Sequence, residues 1–241
     1  MLLNLIRGGD ITTAVIGVCV SIFVVLCILP LHEFAHAFVA DKLGDDTARR
    51  MGRLTLFPFA HLDLIGALMI LLVGFGYAKP VPVNAGRTKM KNKKAAMGII
   101  AAAGPISNLL VALVCTFIAV FICSRYGVAG FIPKAGTLNC CDYILQTQSA
   151  FAGAMGLFLY FCAYININLA VFNLIPIPPL DGSRILTAFL PNKAYFKVLQ
   201  YEKYITIAVF VLLLTGILST PLGYLSDLVM SGFENLALLI F

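Results

Sequence analysis

Residues 11–36 read ITTAVIGVCVSIFVVLCILPLHEFAH, an uncharged run from Ile11 to Leu31 that ends in His32-Glu33-Phe34-Ala35-His36. About 20 apolar residues of helix cross the ~30 Å hydrocarbon core of a bilayer, and this run is long enough. On a helix, positions i and i+4 stack on one face, so His32 and His36 can reach one metal ion together. Glu33, beside the first imidazole, is placed to take a proton from water activated by that ion. The chain has only three His and three Glu, so the H-E-x-x-H spacing does not come from abundance. The stretch reads as a metal site built into a membrane helix.

Composition extends that reading to the whole chain. It is 61% hydrophobic and 12% charged, where soluble domains carry about 25% charged residues. Uncharged stretches recur at 11–31, 64–78, 95–124, 143–180 and 204–226. The expected fold is an all-α polytopic membrane protein, a single domain over 1–241. Its spans are expected near 11–40, 95–123, 150–175 and 204–222. The 64–78 stretch is too short for a comfortable crossing and is expected to be re-entrant or surface-lying. The tail 227–241 is apolar but carries Asp227 and Glu234; it either recrosses the membrane or lies on its surface. A cleaved signal peptide is not expected, because the first run leads straight into the H-E-x-x-H pattern.

Charge sets the expected topology. Fourteen of the 17 basic residues fall in three loops: Lys42 to Arg53, Lys79 to Lys94, and Arg184 to Lys203. The positive-inside rule makes these loops cytoplasmic, so the net charge of +6 speaks for the lipid bilayer and against nucleic acid. The N-terminus is then outside, and the H-E-x-x-H pattern lies toward the cytoplasmic end of its helix. Of the seven cysteines, Cys19, Cys27, Cys115 and Cys162 sit singly in apolar runs. Cys123, Cys140 and Cys141 lie at or in the loop expected outside, where spacing alone does not establish a disulfide.

A catalytic zinc takes a third protein ligand besides the two imidazoles. Asp181 is one candidate, because it follows the proline-stiffened stretch Phe172 to Leu180 at a membrane edge, where a lone carboxylate needs a partner or a task. His61, in His61-Leu62-Asp63, is the rival donor. Polar groups are otherwise scarce in the apolar runs. Asn108 and Asn173 are candidates for binding an oxyanion or orienting a ligand. Asn166 and Asn168 read as interhelical hydrogen bonders.

At this point the residues resemble a known family. The His32-Glu33-Phe34-Ala35-His36 pattern together with Asn173-x-x-Pro176-x-Pro178-x-Leu180-Asp181-Gly182 is similar to the site-2 proteases, which are intramembrane zinc metalloproteases. Gly52 to Leu56, Ala78 to Asn84 and Ala103 to Asn108 resemble segments of the compact prokaryotic branch without a PDZ domain. That branch usually has Asn where Phe57 stands, Pro where Leu64 stands and Trp where Tyr77 stands. The resemblance implies Zn2+ bound by His32, His36 and Asp181, with Glu33 as general base. It also implies a three-helix catalytic core in a prokaryotic plasma membrane, and a membrane-protein substrate cut in or near its transmembrane segment.

Two further expectations concern substrate and class. Arg53-Leu54-Thr55-Leu56-Phe57 alternates like a strand and Val81-Pro82-Val83-Asn84 is extended by its prolines. A small β-sheet or hairpin is therefore expected on the cytoplasmic side, with Leu54, Thr55, Leu56, His61 and Asp63 lining a substrate cleft. Two other classes compete with proteolysis: a non-proteolytic membrane zinc hydrolase, and a catalytically silent relative that binds membrane proteins. The retention of His32, Glu33, His36 and Asp181 argues against the silent relative.

Overall fold

The structure, a computed structural model, describes residues 11–73, 78–126 and 132–241. Three helical stretches among the described residues are long and apolar enough to cross a membrane: Val18–Lys42, Lys93–Arg125 and Ala150–Asn173. The first is composite. Helix α1 (Ile11–Phe23) widens into a π-helical turn at Val24–Ile28 and continues as α2 (Leu29–Lys42). The widening has a local cause. Pro30 has no N–H to give the carbonyl four residues back, and its ring presses on that carbonyl.

Between the first two long helices the chain forms short pieces: α3 (Thr47–Arg50), α4 (Pro58–His61) and α5 (Leu64–Val73). The ten residues of α5 rise about 15 Å, half of a bilayer core. Tyr77, at the position where Trp is usual, lies outside the described residues. No strand is present among the described residues, which corrects the expected sheet or hairpin. The groups a ladder would need are already engaged. Thr55 O accepts from His61 Nε2–H at 2.8 Å, and Phe57 N–H donates to Thr55 Oγ1 at 3.1 Å. Across from them, Pro80 and Pro82 have no N–H, and Lys79 N–H donates to His61 O at 2.8 Å. Burial does not alternate along 53–57 either: Arg53 is buried, Leu54 and Thr55 are half-buried, and Leu56 and Phe57 are both exposed.

Helix α6 (Lys93–Arg125) is the central element, packed against α2, against α8 (Ala150–Asn173) and against α9 (Asp181–Phe189). Asn92 caps its start by accepting from Lys94 N–H and Ala95 N–H. Gly104-Pro105 does not break it; the helix runs through both, and Pro105 is buried inside the bundle. One face of α6 presents Ile106, Leu110, Val114, Ile118 and Phe121 outward, as a lipid-facing helix does. Its other face carries Ala112, Cys115, Ala119 and Cys123, small side chains that let α8 approach closely.

Helix α7 (Ile132–Thr147), kinked at Gly136, packs on α8. The apolar run 204–226 is shared by two helices. Helix α10 (Asn192–Leu214) stops at a turn over Thr215–Leu218, where Gly216 takes φ 73°, and α11 (Ser219–Leu238) follows. Helix α11 returns against α6 and α8. Both of its acids have partners: Tyr164 donates to Asp227 at 3.2 Å, and Thr137 N–H donates to Glu234 at 3.3 Å.

Candidate metal centre

The π-turn and Pro30 lead into α2, whose next turn carries His32 and His36 on one face. Their Nε2 atoms lie 3.1 Å apart. Each is 3.3 Å from Asp181 Oδ2. Among the described residues this is the one group of three metal-donor side chains that converges, and His32 and His36 are buried. A tetrahedral ion with bonds of about 2.0–2.1 Å needs donor atoms roughly 3.3 Å apart, so the triangle fits zinc.

Asp181 is brought in by the chain between α8 and α9. After Asn173 the prolines end helical structure, and residues 174–180 turn back so that Asp181 opens α9. Gly182 makes that return feasible: a Cβ there would collide with the carbonyls of Leu174 and Ile175. Burial works against ionisation of the Asp181 carboxyl, yet the two imidazoles beside it hold it below the usual carboxylate range.

The third side of the site is the backbone of α6. A Cβ at Gly104 would meet His36 Nε2 and His32 Cε1 and Nε2, so glycine is what allows this helix to lie against both rings. Four residues before Gly104, Ile100 O accepts a hydrogen bond from His36 Nδ1–H at 2.7 Å. That bond fixes the tautomer and leaves Nε2 as the metal-facing lone pair. His32 Nδ1 is buried without a partner. Glu33 Oε2 accepts from Val81 N–H at 2.9 Å, which ties the carboxylate to the segment after α5.

Of the asparagines, Asn108 lies one turn beyond Gly104 on the same face of α6, and both its side-chain polar atoms are buried without partners. Asn173 instead donates to Leu169 O at 2.9 Å on its own helix. Asn166 and Asn168 make the same four-back bond, and Asn168 also accepts from Ser226 at 3.1 Å.

His61 is not part of the donor triangle. It is buried, with Nδ1 unpartnered beside a cavity of about 10 Å³ lined by Leu29, Pro30, Asp63 and Ala78. Burial pushes its pKa below 6.5, and the nearby Arg53 charge adds to that. Asp63 accepts from Gly66 N–H at 2.9 Å and so caps α5. Leu54 packs beside Val81, while Leu56 is exposed. Sequence reasoning missed Val81 and the role of Gly104. Both stand in motifs the sequence displays, but neither a main-chain hydrogen bond from Val81 nor the close approach of two helices at Gly104 carries a residue signature.

Such a donor set, with two of its members on a membrane-length helix, defines a class, a metalloenzyme embedded in a bilayer. Comparison with known proteins then gives the family: the model of Peptidase family M50 matches residues 20–216. The chain belongs to this family, the site-2 proteases, and is an intramembrane zinc metalloprotease. It is 39% identical over 193 residues to the putative zinc metalloprotease YwhC of Bacillus subtilis, covering 80% of this chain and 77% of that one. It is 26% identical over 199 residues to the putative zinc metalloprotease Rip2 of Mycolicibacterium smegmatis, covering 79% of this chain and 65% of that one. A 48-residue stretch is 46% identical to the regulator of sigma-W protease RasP of Bacillus subtilis, covering 20% of this chain and 11% of that one. No solved structure shows significant similarity to the chain.

Proposed function

We propose that His32, His36 and Asp181 hold the zinc and that Glu33 is the general base for cleavage of a membrane-protein substrate in or near its transmembrane segment. The observation that carries this reading is the donor triangle, 3.1 to 3.3 Å on its edges, with Glu33 adjacent in sequence. When bound there, zinc supplies Lewis acidity that polarises the scissile carbonyl and acidifies water. Glu33 Oε1, the oxygen not engaged by Val81, takes the proton and delivers it to the leaving amine. Asn108, unpartnered and on the Gly104 face, is the better placed of the two asparagines to donate to the developing oxyanion. His32 and His36 are buried, so charge developing beside them meets a lower dielectric than bulk water.

The same reading places the catalytic end at the cytoplasmic side, supported by the basic residues at the start of α6 and in the loops around it. Leu54, Thr55, Leu56, His61 and Asp63 lie on the segment that precedes the Glu33 contact, where a substrate would reach the base. A non-proteolytic hydrolase or a silent relative gains no support, since ligands and base are complete and the relatives are named as proteases.

The test combines metal content with trapping. Glu33→Gln keeps about one zinc, loses turnover, and retains single-span proteins in membrane crosslinks; His32→Ala, His36→Ala and Asp181→Ala each lose the metal. Full zinc occupancy in Asp181→Ala together with loss in His61→Ala would reassign the third ligand. Topology is read by cysteines introduced at Lys91 and Asp142, in a chain whose exposed Cys19 and Cys27 are replaced by Ala. Labelling of Lys91Cys from the inside alone and of Asp142Cys from the outside alone supports the orientation. Labelling of both from one side refutes it.

A further inference from the structure

Arg53 is buried, yet it forms no ion pair among the described residues. Its guanidinium serves two main-chain carbonyls, with Nη2 donating to Lys79 O at 2.6 Å and to Pro80 O at 3.3 Å. Those carbonyls open an extended strap, residues 79–84, that lies across α2. Two further bonds pin the strap at its ends: Lys79 N–H donates to His61 O at 2.8 Å, and Asn84 N–H donates to the buried Asp45 Oδ2 at 2.6 Å. Val81 and Val83 settle on Ala37 and Ala48 between those pins. Prolines stand on either side of Val81, so it provides the only N–H within residues 80–82. That single donor goes to Glu33 Oε2 at 2.9 Å.

A buried cation is costly, and a loop alone does not need one. The bond at the centre of the strap gives the cation a task. A glutamate side chain has three rotatable bonds, and a carboxylate left free would sample orientations that point neither oxygen at the reacting water. With Oε2 held, the carboxylate is restrained and Oε1 is the oxygen left to accept a proton. We infer that Arg53 is a positioning residue for the base: it fixes the strap at Lys79 and Pro80, so that Val81 N–H holds Glu33 Oε2 in place. The inference rests on Glu33 being the base and adds what orients it.

The experiment uses the full-length zinc-loaded protein in detergent and reads two independent signals. One is hydrogen exchange at the Val81 amide. Exchange is slow in the native protein and rises about tenfold or more in Arg53→Gln and, separately, in Glu33→Ala, which removes the acceptor. The other is cleavage of a synthetic single-span Leu/Ala helix interrupted by Gly-Pro and carrying a fluorophore and quencher. Arg53→Gln lowers kcat about 10–100-fold, the usual cost of losing a group that orients a metal-site residue, with KM and zinc content unchanged. Arg53→Lys, which keeps a donor for one carbonyl, recovers part of the loss. Val81→Pro removes the N–H in a strap already extended by proline and reproduces the fall in kcat; Val81→Ala, which keeps the N–H, costs far less.

Native-like Val81 exchange in Arg53→Gln would overturn the inference. So would unchanged kcat, a rise in KM alone, or zinc loss parallel to the loss of activity, which would make Arg53 a structural residue. If the native protein leaves the reporter uncut, the proteolytic reading is at fault, and exchange at Val81 still decides whether the clamp exists.

Discussion

The helices around the donor triangle and the connection from Leu43 to Asn92 solve opposite problems. Within α2, α6 and α8 the backbone satisfies itself, so side chains are free to converge on a metal or to face lipid. In the connection the backbone has few regular partners, and polar side chains supply them. Asp45, fully buried, accepts from Thr47 N–H at 3.1 Å, from Thr47 Oγ1–H at 2.5 Å and from Asn84 N–H at 2.6 Å. Arg53 and His61 act alike toward Lys79, Pro80 and Thr55. The difference teaches that the converging polar residues of the helices mark chemistry, whereas Asn166, Asn168 and Asn173 bond back into their own helix and the polar residues of the connection first mark architecture.

The sharpest test of that division is Glu33→Gln, a polar change among the helices. It lowers turnover by about a thousandfold or more, since general-base catalysis is worth that much, while zinc content and unfolding temperature hold. A collapse of the fold instead would place Glu33 on the architectural side. Next comes Gly104→Ala, an apolar change in the same region. The added methyl would enter the space of both imidazoles, and zinc affinity measured by competition with a chelator falls about 10–100-fold. Native affinity in that variant would mean that α6 can move aside at little cost.

In the connection, Asp45→Ala strands three donors and destabilises the protein by about 1–3 kcal/mol, read from thermal or denaturant unfolding, and by freeing one end of the strap it also lowers kcat, by less than Arg53→Gln does. A strong loss of kcat without destabilisation would blur the two regions. The smallest effect is a pH dependence at His61. Burial favours the neutral ring in the folded protein, so the unfolded chain takes up the proton at the higher pH. The stabilisation is therefore complete above pH 6.5 and is lost as pH falls from there toward the lower folded value. Unfolding midpoints followed from pH 8 to pH 5 decline in the native protein (an order-of-magnitude window around the ordinary His value), and the decline is shallower in His61→Asn.

The helices and the donor set could be read from the chain because their signals are local or rare. Uncharged runs of membrane length announce helices, and histidines at i and i+4 announce two donors on one face, whereas Asp181 shared candidacy for the third ligand with His61 until the resemblance to the site-2 proteases favoured it. The sheet failed for an equally physical reason. Alternation in Arg53 to Phe57 is a pattern of residue types; it reports neither which side chains are buried nor which groups take the main-chain hydrogen bonds. Here His61, Arg53 and Glu33 took them, from positions distant in sequence. The division of 204–226 at Gly216 was equally hidden, because a positive-φ glycine in an apolar run looks like any small residue until the chain turns there.

Helix α6 is 33 residues long, about 50 Å at 1.5 Å per residue, well beyond a bilayer core of ~30 Å. Gly104, the contact with both imidazoles, comes eleven residues after Lys93, or about 16 Å along the axis. The glycine thus acts as a depth gauge. Lys93 and Lys94 stand at one end of the rod, donating to Thr88 O at 2.6 Å and to Leu190 O at 2.9 Å, and the donor triangle lies a fixed distance along it. On the function proposed above, a bond presented to this centre lies that far from the lysine end of α6.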